Sequence, residues 1–188
     1  MTDYSPPIDD MSFLLNNVFD GQGLGEFDAD MVNAILEEAG KVASGVLSPL
    51  NRIGDEQGAT LKDGVVTTAK GFKEAYHQYC EGGWNAVPFE EEFEGQGLPW
   101  SIAFPVQEMW QAANMSFGLC PLLNQGATET IIAHGSDEQK QEYLPNMIAG
   151  TWTGTMNLTE PQAGSDLGAI KTKAVKQDDG TYLISGQK

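Results

Sequence analysis

The stretch Thr159-Glu160-Pro161-Gln162-Ala163-Gly164-Ser165-Asp166-Leu167-Gly168 holds the residue types best suited to chemistry in this sequence. Glycines let a backbone approach a ligand closely. Thr159, Ser165 and the main-chain N–H groups near Gly164 are the donors that a phosphate or a flavin's polar edge needs. The same residue types also compose ordinary exposed loops, so composition alone leaves both readings open. Two other groupings invite chemistry and supply less. Glu90, Glu91, Glu92 and Glu94 could hold a divalent cation, but the fixed-turn Gly and Asn/Asp ligands of oxygen-ligand loops are missing, and a solvated charge run is the better reading. His77 and Cys80 are too few ligands for zinc, and Cys120 stands apart, so no metal is assigned and the His77/Cys80 pair is expected to be two ordinary interior or half-buried side chains.

The loop must be positioned by the elements around it. Residues 1–27, with Pro6, Pro7, Gly21, Gly23 and Gly25, read as an extension carrying one short helix around Phe13, Leu14, Leu15, Val18 and Phe19. From an N-cap at Asp28, apolar residues from Met31 to Leu47 recur at three- and four-residue intervals, which predicts an amphipathic helix ending near Pro49. A loop through Gly54, Gly58 and Gly64 follows. Thr67 then caps a second helix that stops at Gly82-Gly83. Residues 84–99 form a connector. The stretch from Trp100 to Ala133, apolar on most faces, predicts buried helices split by Gly118 and Pro121 and ended by Gly135. Ser136-Asp137-Glu138-Gln139 is a capping-box pattern opening a further helix that stops at Gly150.

After Gly150 the period changes. Thr151–Leu158 is rich in β-formers, Lys171–Lys176 alternates, and Asp178-Asp179-Gly180 turns into the strand Thr181–Ile184. The expected organisation is an extension over 1–27, a helical domain over 28–150 and the opening strands of a β-domain over 151–188. Three strands do not bury a β-domain of their own, which predicts a piece of something larger.

Composition bounds the function. The 188 residues include 27 acidic and 10 basic side chains, a formal charge of -17, which argues against nucleic acid and acidic membrane surfaces as partners. Forty per cent hydrophobic and nine per cent aromatic residues suffice for a packed core. Neither a secretory signal nor an Arg-rich transit pattern is present before Lys41, so a cytoplasmic location is expected. The longest apolar runs, broken by Pro105 and Pro121, fall far short of the roughly 20 residues of a membrane helix, and no membrane insertion is expected.

The order of residues adds what composition lacks. Leu158-Thr159-Glu160-Pro161, Ala163-Gly164-Ser165-Asp166, Ile170-Lys171-Thr172-Lys173-Ala174 and Leu183-Ile184-Ser185-Gly186-Gln187-Lys188 resemble, in matching spacing, the flavin-binding signature of acyl-CoA dehydrogenases. Ala133–Lys140 and Tyr143-Leu144-Pro145 resemble the family's helical segment just ahead of its β-domain. Tyr4-Ser5-Pro6-Pro7, Pro49-Leu50-Asn51 and Gly71–Tyr76 resemble the longer branch with an added N-terminal segment, which includes 3-methylmercaptopropionyl-CoA dehydrogenases.

The resemblance implies a mainly α chain, with the family's N-terminal helical domain followed by the first strands of a truncated β-barrel-like domain. It implies FAD-dependent α,β-dehydrogenation of an acyl-CoA thioester in fatty-acid-type metabolism: a carboxylate removes the α-proton and the β-hydrogen leaves as hydride to the flavin. Electron-transferring flavoprotein and a homo-oligomeric full-length enzyme are the implied partners. Carried over by position, Met156 and Leu158 would offer backbone contacts to the flavin ring and Thr159 would bond its pyrimidine edge. Gly164 and Ser165 would face the FAD pyrophosphate, with Ser165 also near the acyl-CoA entrance. Met156 stands where many relatives have an aromatic residue. Glu160 is a tempting base, but its place in the motif's turn points to a structural duty.

The family's catalytic glutamate lies in a C-terminal helical domain, and a Trp-Ile-Thr-like segment is expected directly after Lys188; neither is in this sequence. No catalytic residue is therefore assigned, and the chain alone is expected to be inactive. A non-catalytic interaction module derived from the family is the alternative, and a stand-alone acidic helical regulator ranks behind it. Met109, Met115, Leu119 and Leu122 are candidates for an acyl-chain pocket, against ordinary core packing.

Overall fold

In a computed structural model, which describes residues 4–19 and 27–188, the chain opens with α1 (Ile8–Phe13), prolonged by a wide π-type turn, Leu14–Val18. Met11 and Leu15 point into the core. Gly21, Gly23 and Gly25 lie outside the described residues. Asp28 caps α2 (Ala29–Val42), its carboxylate accepting the Met31 N–H at 2.9 Å. The buried face of α2 runs through Val32, Leu36 and Ala39, and Met31 is exposed.

The helical path does not end at Pro49. It widens into a π-type turn, Ala43–Leu47, and restarts as α3 (Ser48–Gln57). Pro49 stands in the first turn of α3, where an N–H is unsatisfied anyway and a proline costs nothing. The expected loop after it contains a hairpin, β1 (Thr60–Lys62) paired antiparallel with β2 (Val65–Thr67). Asp63 and Gly64, both at positive φ, make its two-residue turn, a conformation that favours this Asp-Gly pair. Thr67 thus lies in a strand and caps nothing; α4 (Phe72–Glu81) starts after Gly71 and ends at Gly82-Gly83.

The long apolar stretch forms one helical run, α5 (Trp100–His134). Its break is at Asn114 (φ -160°, ψ 90°), not at Gly118 or Pro121. There the Asn114 Oδ1 accepts the Phe117 N–H at 3.1 Å and the Ser116 hydroxyl at 2.7 Å, which caps a fresh helical start, while its Nδ2 donates to the Leu47 carbonyl at 3.1 Å. Pro121 is absorbed within the second half and buried. The capping box Ser136/Gln139 opens α6 (Asp137–Ile148), with Gly150 (φ +76°) just beyond its end.

The core joins Leu36, Ala43 and Leu47 to Ile102, Val106, Met109 and Trp110 of α5 and to Ala75 and Tyr79 of α4. Tyr79 meets Trp110 and Phe117 edge-on, with ring centroids 5.9 and 5.7 Å apart, and Trp84 meets Trp110 the same way at 5.4 Å. A smaller cluster packs Phe89 of the connector on Leu144 and Ile148 of α6.

Two compact units divide at Gly154/Thr155. Residues 151–154 are held to the first: the Thr151 hydroxyl and the Trp152 N–H both donate to the Asn146 carbonyl, and the Gly154 N–H to Asn124. This is why the predicted strand over Thr151–Leu158 does not form; its first half caps α6, and among the described residues nothing pairs with the second half. The second unit has one hairpin, β3 (Lys173–Lys176) antiparallel to β4 (Tyr182–Ser185), with Val175 opposite Leu183 and Ala174 opposite Ile184.

Candidate functional site

Glu160 organises the loop of the second unit. Its backbone exchanges two hydrogen bonds with Ala163, N–H to O and O to H–N, both 3.0 Å, so Pro161 and Gln162 form the tip of a tight turn. The side chain folds beneath, only 4% exposed. Its Oε2 accepts the Lys171 N–H at 2.8 Å and the Gln162 Nε2 at 2.6 Å; its Oε1 accepts the Thr172 N–H at 3.0 Å and meets the Lys188 Nζ at 3.1 Å. The Lys171 N–H foremost, with Thr172 and Lys188 behind it, holds this carboxyl well below the ordinary glutamate range. A carboxylate filled by four donors is an anchor and not a base, in keeping with the structural duty expected from its place in the turn.

Thr159 and Gly164 are the residues that flank this paired turn. Asp166 braces the far end, its Oδ1 accepting the Gly168 N–H at 3.0 Å. On this frame Thr159, Gly164 and Ser165 are exposed, and the Thr159 and Ser165 hydroxyls have no partner among the described residues. The space where a Gly164 Cβ would stand is open for 4 Å. Met156, 67% exposed, and Leu158 just ahead of the loop are exposed as well. The Leu158 carbonyl is engaged, accepting from Lys188 Nζ at 2.7 Å. Unpaired hydroxyls and an open glycine suit an acceptor-rich ligand: phosphate oxygens or the carbonyl edge of a ring.

The first unit holds a cavity of 540 Å³ lined by Thr67, Phe72, Tyr76, Phe117, Cys120 and Thr153. Tyr76 donates its hydroxyl to the Gly150 carbonyl at 2.9 Å. Burial pushes the Tyr76 hydroxyl and the Cys80 and Cys120 thiols up from their ordinary values, which keeps all three neutral at pH 7. Cys80 is half-buried, whereas His77 is exposed, contrary to the interior or half-buried placing expected of that pair; Cys120 is exposed too. Of the four acyl-pocket candidates, Met109 is core and Met115, Leu119 and Leu122 are exposed on α5. Among the described residues no three His, Cys, Asp or Glu side chains gather as metal ligands, and no helix is long and apolar enough to cross a membrane.

Residues 60–151 match the family described as acyl-CoA dehydrogenase, N-terminal domain. The chain is 44% identical to 3-methylmercaptopropionyl-CoA dehydrogenase of Ruegeria pomeroyi over 98% of its own length. The chain belongs to the acyl-CoA dehydrogenase family, as an N-terminal portion. It is also 37% identical, over 86% of its length, to a butyryl-CoA dehydrogenase of Syntrophomonas wolfei. The solved butyryl-CoA dehydrogenase of Megasphaera elsdenii superposes with a TM-score of 0.70 at 25% identity, covering 86% of this chain and 40% of that one. The chain spans 32% and 27% of the two curated relatives' length, about a third or less. Its fold is that of an acyl-CoA dehydrogenase N-terminal helical domain followed by the first strands.

Sequence reasoning missed Lys188 and the buried amides Asn85 and Asn124. Their partners lie 23 residues or more away along the chain, beyond any local periodicity.

Proposed function

We propose that this chain is the N-terminal part of an FAD-dependent acyl-CoA dehydrogenase that carries out α,β-dehydrogenation of an acyl-CoA thioester. The observation that carries the reading is the Glu160-anchored turn, which leaves Thr159, Gly164 and Ser165 exposed and the two hydroxyls unpaired. The donor set fits FAD: the Thr159 hydroxyl suits the ring's pyrimidine edge, and Gly164 with Ser165 suits the pyrophosphate. Met156 and Leu158 would flank the ring by their main chain, and Ser165 would also border the acyl-CoA entrance. Bound FAD supplies the acceptor for the hydride leaving the β-carbon. The chain's own contribution is to hold and orient the cofactor, while the base that takes the α-proton belongs to a part of the enzyme outside these residues.

Identity with the Ruegeria pomeroyi protein supports 3-methylmercaptopropionyl-CoA as the first substrate to try. Electron-transferring flavoprotein as electron acceptor, a homo-oligomeric full-length enzyme, a cytoplasmic location and a place in fatty-acid metabolism belong to the same proposal. So does the inactivity of the chain by itself. The test is anaerobic addition of 3-methylmercaptopropionyl-CoA and butyryl-CoA to the full-length protein. Loss of the visible flavin absorbance with either supports the reading, and purification without flavin, unrestored by added FAD, overturns it.

A second reading, a non-catalytic interaction module, draws on exposed apolar residues: Phe104, Met115, Leu119 and Leu122 on α5, and Val175, Leu183 and Ile184 on the β3–β4 hairpin. Strictly monomeric behaviour without binding of a hydrophobic dye counts against it.

A further inference from the structure

Lys188 does more than neutralise Glu160. Its ammonium sits 3.1 Å from the Glu160 Oε1 and donates to the Leu158 carbonyl oxygen at 2.7 Å. Glu160 does not need it for satisfaction, because the N–H groups of Lys171 and Thr172 and the Gln162 amide already donate to both of its oxygens. Nor does the carbonyl of the exposed Leu158, which water could serve. The cation is nonetheless drawn in, with its side chain only 28% exposed.

The Leu158 carbonyl and the Thr159 N–H belong to one peptide unit. A cation donating to the oxygen pulls electron density along that unit and makes its N–H a stronger donor. The Thr159 N–H has no acceptor among the described residues. We infer that Lys188, oriented by Glu160, is a positioning residue that fixes and polarises the Leu158–Thr159 peptide so that its N–H is presented as a strong donor to the acceptor edge of the flavin. The inference rests on the FAD reading for the identity of the acceptor, but the polarised peptide exists without it. A stronger donor at that edge favours negative charge on the ring, so it tightens the hold on FAD and raises its reduction potential.

Lys188→Met keeps the aliphatic stem and removes the charge, and Lys188→Arg restores a cation. In the full-length protein, Lys188→Met is expected to release FAD about tenfold faster, the loss of one charge-assisted bond, and to lower the potential of the FAD that remains, with Lys188→Arg recovering much of both. In the cofactor-free protein the Thr159 amide proton resonance is expected to move upfield in Lys188→Met, while the melting temperature stays close to the parent's. An unchanged FAD release rate and potential, or an unmoved Thr159 resonance in a folded variant, overturns the inference. Parent protein that binds no FAD overturns the flavin acceptor and the proposed function together, a result the amide shift tells apart from failure of the Lys188 contact itself.

Discussion

Asn124 and Gly154 are joined by a 2.8 Å bond from the Gly154 N–H to the Asn124 Oδ1, and the same side chain donates to the Met147 carbonyl at 2.9 Å. One fully buried amide therefore ties α5 to the end of α6 and to the segment leading out of the first unit. Asn85 reinforces it, donating to the Met147 and Ile148 carbonyls at 2.7 and 2.9 Å. Asn124→Ala leaves the half-buried Gly154 N–H without its acceptor and removes the donor to the Met147 carbonyl, and is expected to cost about 3 kcal/mol. Urea unfolding checks this; a loss below about 1 kcal/mol would show that water replaces the amide.

Asn114→Ala removes the cap of the second half of α5 and the bond to the Leu47 carbonyl. The expected loss is about 2 kcal/mol in chemical unfolding. Gly118→Ala is the control, since Gly118 is where the sequence suggested a break. The atoms a Cβ there would meet first belong to the movable end of the Gln111 side chain, so the cost should stay under about 1 kcal/mol. Equal losses would mean that the helix is not restarted at Asn114.

These two asparagines mark the border of what the sequence could tell. Asp28, the Ser136/Gln139 box and Gly150 announce themselves because each acts on a neighbour three or four residues away, or on its own φ. Asp63-Gly64 was equally local, but glycines on both sides of it made a loop reading as natural as a hairpin. Asn114 was hidden because Gly118 and Pro121 look like stronger breakers, and the decisive partner, Leu47, is 67 residues away. The loop from Thr159 to Gly168 was legible as a site by residue type. What holds it open, Glu160 bonded to the N–H groups of Lys171 and Thr172 and to Lys188, depends on how the chain turns back and leaves no periodic trace.

Acid should release that anchor late. The Glu160 carboxyl is depressed in the folded protein, so it binds a proton less readily there than in the unfolded chain, and protonation favours unfolding. Its stabilising contribution is complete above the unfolded value of about 4.3 and is lost as pH falls below that toward the depressed folded value. The Lys171 and Thr172 amides are expected to stay protected from exchange at neutral pH and to lose protection only below the usual glutamate range. In Glu160→Gln the protection should be weaker at pH 7 and flat with acid. Protection lost near pH 5 in the parent protein would contradict the anchor.

The two cysteines offer a check on the first unit that involves no cofactor. Cys120 is exposed at the edge of the 540 Å³ cavity, and Cys80 is half-buried beside Tyr76 and the Gly150 carbonyl. Desolvation raises both thiols, so the reactive thiolate is scarce at pH 7 and grows only as pH climbs past the ordinary thiol value of about 8.5. Maleimide labelling followed by mass spectrometry should therefore modify Cys120 first, more slowly than a free thiol at pH 7 and faster with every step upward. Cys80 should wait for local opening of α4 against Gly150, with a rate that urea accelerates. Faster labelling of Cys80 than of Cys120 in the native protein would mean that the end of α6 does not cover it.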